Sequence, residues 1–243
     1  MILDLEPIQP GEEEAQAALR LLGRLRRLYG PRFFDAVTVD AWYATGPFLG
    51  AVRKLGWGAV SVLKQQRYEI YQEATVLSQA QPPQTFHWED RTVALREVEA
   101  LSFGEAGDVR VVLAEERWTE RQQRAGGYER VTRTSQWRWL ASGELDGCGP
   151  EVIWRIGHQR WGVENHAFNE LTQHYHLTHC PHHEPAAILA WLLIRVLGFN
   201  LFEVFVRLHG KLWRQGRVTL AELARQLDRA LEAVAELPPL WSG

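Results

Sequence analysis

The chain has 243 residues, 46% hydrophobic and 23% charged, a balance that excludes a disordered polymer and allows one large domain or two small ones. A net charge of −3 gives no global pull on a polyanion, so contact with nucleic acid must come from local patches. Two cysteines, Cys148 and Cys180, exclude a disulfide framework, and the start from Met1 to Pro7 has neither the basic leader nor the apolar stretch of a secretory signal. The expected setting is reduced and cytoplasmic.

In chain order, Met1 to Leu5 is short and apolar and reads as the tail of a strand. Gly11-Glu12-Glu13-Glu14 opens a helix with acids in its first turn, and Ala15, Ala18, Leu19, Leu22 and Leu25 give that helix one apolar stripe. Gly30-Pro31 stops it. A strand follows over Phe33 to Asp40, then a helix over Pro47 to Leu55 with Gly56 as its stop, then a strand over Ala59 to Leu63. Strands alternating with helices predict a parallel layered sheet.

After Lys64 the pattern changes. A helix around Tyr71 to Ala80 leads into the Gln81-Pro82-Pro83-Gln84 loop. Several β segments then follow between Phe86 and Leu140, among them Thr92–Leu95, Val109–Ala114 and Val131–Leu140. They read as an antiparallel insertion. Gly147-Cys148-Gly149-Pro150 returns the chain to helix, with one long helix over Glu151 to Tyr175, a second over Pro185 to His209 and a third over Thr219 to Ala235. Thr219 and Glu222 fit a capping box. The apolar stretch from Ala186 to Val206 is interrupted by Arg195, Asn200 and Glu203, so it reads as a buried amphipathic helix rather than a membrane span.

Two acids stand out by context. Asp40 closes an apolar strand and Glu164 lies in a distant helix, the kind of arrangement from which a divalent-metal phosphoryl-transfer site is built. Among 30 acidic residues the spacing alone is weak, and Asp40 as a loop cap or Glu164 on a solvated helix face are the plain alternatives. Arg160, four residues before Glu164, is either its ion-pair partner or a guanidinium set to take a DNA phosphate.

Phe33-Phe34-Asp35-Ala36-Val37-Thr38-Val39-Asp40-Ala41-Trp42-Tyr43, Arg160-Trp161-Gly162-Val163-Glu164-Asn165 and the helix from Ala186 to Phe205 together resemble the bacterial insertion-sequence DDE transposases. The likeness is to the group with a β-rich insertion before the final catalytic glutamate, and it runs in order along nearly the whole chain. It implies an α/β fold: a partial ribonuclease H-like core, an antiparallel β insertion and a C-terminal helical layer. The corresponding division is residues 1–63, 64–149 and 150–243, the last segment completing the core. It implies DNA strand cleavage and transfer by two-metal phosphoryl transfer with Mg2+ or Mn2+. Asp40 would be the second catalytic aspartate, Glu164 the catalytic glutamate and Arg160 the arginine of the surrounding signature. The implied partner is double-stranded DNA at transposon ends, bound by a homodimer in the bacterial cytoplasm at the nucleoid, with no membrane involved.

The chain departs from that pattern in three places. The signature's tyrosine three residues before the arginine is replaced by Gly157, and its lysine two turns after the glutamate by Leu171 and Thr172. The first aspartate, carried by the family on its first core strand, has no equivalent here; Asp4 and Asp35 are the local acids. The expectation is an N-terminally truncated transposase that is inactive by itself, with a non-catalytic DNA-binding or multimerisation remnant as the alternative.

Two other groups of residues invite a reading. His174, His176, His179, Cys180, His182 and His183 are zinc-compatible in type but match no standard finger, and the segment reads more simply as a solvated loop. The insertion mixes arginine with tryptophan, a composition suited either to gripping DNA or to filling a small core. Arg133, Arg138 and Trp139 are its expected DNA contacts. The alternation of Trp137 and Trp139 against Arg138 separates two faces without saying which is buried.

Overall fold

The computed structural model of the protein describes residues 1–235 apart from 65, 67, 125–126, 144, 146, 180–182, 210, 212–214 and 217; for 124, 164–166, 220–221, 231 and 233–235 it describes the backbone only. Helix α1 (Glu14–Tyr29) begins at an acidic turn where the Glu13 amide donates to Gln16 Oε1 at 3.4 Å, and it ends at Gly30. The segment before it is not a strand. Arg24 binds the Asp4 carboxylate at 2.6 Å and the Leu5 carbonyl at 2.8 Å, while Arg20 binds Glu6 and the Pro7 carbonyl. Two arginines one helical turn apart thus draw the segment along α1 as ion-paired coil.

The apolar runs form β1 (Ala36–Val39) and β2 (Gly58–Val62), paired in parallel from Ala36↔Gly58 to Val39↔Ser61. Helix α2 (Gly46–Lys54) makes the crossover that parallel strands need. Every residue of β2 is buried, as expected of a strand covered on both faces.

Helix α3 (Glu69–Ser78) precedes four strands: β3 (Gln84–Trp88), β4 (Arg91–Ser102), β5 (Asp108–Arg124) and β6 (Gly127–Ser142). All neighbours among these four are antiparallel, and β6 also pairs antiparallel with β2, from Ala59↔Ser142 to Val62↔Trp139. The result is one six-stranded mixed sheet in the order β1-β2-β6-β5-β4-β3. The insertion extends the core sheet, and the division expected at residues 63/64 is not a break in it. This mixed α/β architecture, with seven α-helices among the described residues, is consistent with a ribonuclease H-like transposase fold.

Helix α4 (Pro150–Gly162) covers one face of the sheet, packing Ile153 and Trp154 onto Val60, Val62, Val93, Leu95, Val112 and Trp139. The long helix expected from Glu151 to Tyr175 is interrupted. A π-helical turn (Val163–Phe168) follows α4, and α5 (Asn169–Gln173) comes after it. Helices α6 (Pro185–His209) and α7 (Leu220–Ala235) complete the chain, the latter begun by Thr219 Oγ1 accepting from the Glu222 amide at 3.2 Å.

The chain divides into two compact units, Asp4–Asn165 and His166–Gly243 with Met1–Leu3. In the second, the Asn200 amide binds both the Ile2 amide (2.7 Å) and the Ile2 carbonyl (2.6 Å), and Tyr175 meets Phe199 edge to face. Helix α6 is long and apolar enough to cross a membrane by length and composition, although only 11% of its most apolar window is buried. That corrects the expectation of a buried helix: Leu193, Ile194, Leu197, Leu201 and Leu208 are exposed along it.

Candidate active site

Asp40 stands at the carboxyl end of β1, the edge of a parallel sheet where the chain must leave the ladder and where polar groups can face open space. It is exposed and caps the 3-10 turn Ala41–Tyr43: its Oδ1 accepts from the Trp42 amide at 2.6 Å. Its carbonyl accepts from the buried Ser61 hydroxyl at 2.8 Å, so strand β2 fixes the Asp40 backbone. The capping role anticipated for Asp40 is therefore real, and it engages one carboxylate oxygen.

Beside it, the Tyr43 hydroxyl donates to Glu14 at 2.7 Å and its ring packs on Phe48. Burial, the Glu14 hydrogen bond and the negative charges of Glu14 and Asp40 hold the Tyr43 phenol far above its ordinary range. Trp42, between them in sequence, is 70% exposed. Asp4 does not join this site, because Arg24 engages its carboxylate and holds its pKa below the usual value.

The direction of α4 follows from close contacts along it. Leu145, just before the helix, lies against Gly58 at the start of β2, where an added Cβ would fall 2.5 Å from Leu145 Cγ. Further on, Gly157 lies against Trp139, which pairs with Val62 at the end of β2. Trp161, the next turn, packs on Trp137 at 4.6 Å between ring centroids. Helix α4 itself lies across the sheet: Trp154 packs on Phe86 and Trp88 of β3, Trp154 and His158 bond Glu116 of β5, and Gly157 and Trp161 lie on Trp139 and Trp137 of β6, at the level where β2 ends. Strand β1 is parallel to β2 and ends at Asp40 at that same end of the sheet, and the π turn that carries Glu164 follows the last turn of α4. The Glu164 side chain lies outside the described residues; its backbone lies in the π turn, a helix irregularity frequent at functional sites.

The other expected site residues are dispersed. Arg160 is half-buried in the last turn of α4. Arg133 is exposed and bonds Glu120 at 2.7 Å across the β5–β6 ladder. Arg138 turns towards α3 and stacks over Tyr71 at 4.3 Å. Trp139 is 1% exposed, in the core beneath α4, which corrects its expected role in DNA contact. Its alternation with Arg138 was legible; the inward face proved to be the tryptophan's.

Beyond the last β4–β5 pair at Arg91↔Trp118, β5 and β6 continue as a two-stranded ribbon, Thr119–Arg124 against Gly127–Thr132. Cross-strand pairs share a face, so Thr119, Arg121, Tyr128, Arg130 and Thr132 lie together, all exposed, with Arg121 over the Tyr128 ring at 5.2 Å. Arg117 continues that face towards the sheet. The opposite face carries Glu116, Glu120, Glu129 and Arg133. Charge is segregated between the two faces of the ribbon.

Glu116 is the group that sequence reading missed. Its side chain is fully buried. Oε1 accepts from Trp154 Nε1 at 3.0 Å and contacts His158 Nε2 at 2.6 Å, while Oε2 accepts from Arg91 Nη1 at 2.9 Å and from the Ser135 hydroxyl at 3.2 Å. Burial pushes its pKa up, but the bonds from His158, Trp154 and Arg91 outweigh that and hold it below the ordinary glutamate value.

Of the histidine-rich segment, Cys180 and His182 lie outside the described residues, and no group of three metal-ligating side chains occurs among those described.

A mixed sheet with an aspartate at the carboxyl end of its parallel edge strand and a helix covering it is an α/β architecture consistent with a ribonuclease H-like transposase. The sequence matches the transposase DDE domain family over residues 2–201, and the chain belongs to that family. A comparison with curated proteins found no match. Membership supports transposase function in general terms, with DNA as substrate and divalent metal ions as the family's usual cofactor.

Proposed function

We propose that the chain is the catalytic region of a transposase in which Asp40 and Glu164 hold divalent metal, Mg2+ or Mn2+. The observation that carries this reading is that Asp40 ends β1 at the same end of the sheet as the last turn of α4, which packs Trp161 on Trp137 and leads into the Glu164 turn. Carboxylate oxygens suit a hard cation, and the cap on Trp42 engages only Oδ1 of Asp40. Metal bound there would activate water or a DNA 3′-hydroxyl for in-line attack on a phosphodiester.

Arg160, one turn before Glu164, would hold a phosphate at the reacting edge. The acid-free face of the ribbon, through Arg121 and Arg130, would hold the flanking duplex, whereas Arg117 at its base is paired with Glu115. Arg133 and Arg138, engaged with Glu120 and Tyr71, contribute less. A homodimer on paired transposon ends, in the bacterial cytoplasm at the nucleoid, fits this activity.

The donor set is short of a complete two-metal site. Among the described residues no group of three metal-ligating side chains occurs, the Glu14 carboxylate nearest Asp40 is engaged by the Tyr43 hydroxyl, and no strand pairs with the outer side of β1. A strand laid along that open side would be the natural carrier of the missing acid. We infer that the 243-residue chain by itself does not cleave DNA. Nicking or strand transfer by the purified chain in Mg2+ or Mn2+, abolished by Asp40→Ala, would overturn that inference. The second reading, a DNA-binding or multimerisation remnant, rests on the segregated ribbon face. Salt-dependent DNA binding that survives Asp40→Ala and Glu164→Ala, without Glu164-dependent metal binding, would favour it.

A further inference from the structure

We propose that Glu116 is a positioning residue for the metal-binding turn: it fixes the register of α4 on the sheet and thereby places Glu164. This rests on the reading of Glu164 as a metal ligand. The carboxylate of Glu116 takes two donors from α4 itself, Trp154 and His158, which stand four residues apart on one helix face. Its other oxygen takes Arg91 from β4 and Ser135 from β6. One buried group therefore ties the helix to three strands of the insertion, counting its own.

The requirement for such a tie follows from helix geometry. A slip of one residue would move Glu164 by about 1.5 Å along the axis and turn it by roughly 100°. Metal sites tolerate displacements of only about 0.5 Å. Apolar packing resists such a slip weakly, because one aromatic or aliphatic side chain substitutes for another. Hydrogen bonds do not permit it: a slip would bring Arg155 or Gln159 opposite Glu116 and leave a buried carboxylate without its partners. The contact of Gly157 with the Trp139 ring acts in the same sense, since no neighbouring position on α4 lacks a Cβ there. Both contacts lie within the three turns preceding the π turn.

Stability alone gives no reason to keep Glu116, because well-packed apolar side chains often replace a buried ionic cluster at no cost. That contrast provides the test. In Glu116→Gln, and in the paired replacement Glu116→Met with His158→Leu, hydrogen exchange is followed along the full chain and Mn2+ binding is titrated. The expected result is faster exchange confined to about residues 158–168, with about tenfold weaker Mn2+ binding, the loss typical of disturbed supporting shells. The paired variant is expected to melt no lower than the parent. Unchanged exchange in that segment, or acceleration spread evenly over the sheet, would overturn the proposal. If Mn2+ binding by the parent is indifferent to Glu164→Ala, the metal reading fails by itself, and the exchange pattern still decides whether Glu116 sets the turn.

Discussion

Trp139 occupies the space that a side chain at position 157 would need: a Cβ added to Gly157 would lie 2.4 Å from Trp139 Cε3. The absence of the signature tyrosine from this position therefore has a packing cause. The sheet supplies a large ring from below, and the helix gives up its own side chain to lie flat on it.

Gly157→Ala is accordingly expected to lower stability by about 1–3 kcal/mol, the usual cost of overpacking, despite the better helix propensity of alanine. Trp139→Phe removes part of the obstructing ring and should recover some of that loss when the two are combined. Denaturant unfolding of both single variants and the double variant measures the coupling.

Asp40 has two separable roles. Asparagine caps a helical turn about as well as aspartate, so Asp40→Asn should change stability by only a few tenths of a kcal/mol. Asp40→Ala loses the bond to the Trp42 amide and should cost about 1 kcal/mol. Both should abolish Mn2+ binding at the sheet edge. A calorimetric metal titration beside thermal melts distinguishes cap from ligand.

The ribbon faces should differ in DNA binding. Removing Arg121 or Arg130 is expected to weaken binding and to reduce the slope of log affinity against log salt by about 0.9 for each phosphate left without its arginine. Arg133→Ala, on the opposite face and bound to Glu120, should leave the slope nearly unchanged. Fluorescence anisotropy over a salt series reads both.

The lowered pKa of Glu116 gives a signed pH dependence. Its folded value lies below the unfolded one, so its stabilising contribution is complete above the unfolded glutamate range, near 4.3. The contribution is lost as pH falls through the folded value. Glu116→Gln should flatten the acid side of the melting-temperature profile below about pH 5 and leave its slope near neutrality unchanged.

Much of the core was legible in the chain. Apolar runs bounded by Gly30-Pro31 and Gly56 gave β1, α2 and β2 within a few residues, and a crossover helix between two such runs implied their parallel pairing. The long strands of the insertion were only partly legible, because beyond Trp118 both strands are polar on each face and carry no apolar alternation. Their continuity with β2 depends on pairing across more than 70 residues, which no local pattern encodes. The pairing of Asp40 with Glu164 came from family likeness alone; the π turn was hidden, since its residues are helix-compatible in composition. Glu116 was invisible for a simpler reason. Its partners stand 19 to 42 residues away on three elements, and in sequence it is one acid in a run of charged residues.

Because β6 belongs at once to the ribbon and to the central ladder beside β2, the ribbon is fixed in the sheet at its base. It is a cantilever built into the wall of the domain. If a DNA duplex met both the ribbon and the end of the sheet, part of any bend the fit requires would fall on the DNA. Discrimination among transposon ends would then fall on base-pair steps that kink cheaply, including steps that no side chain touches.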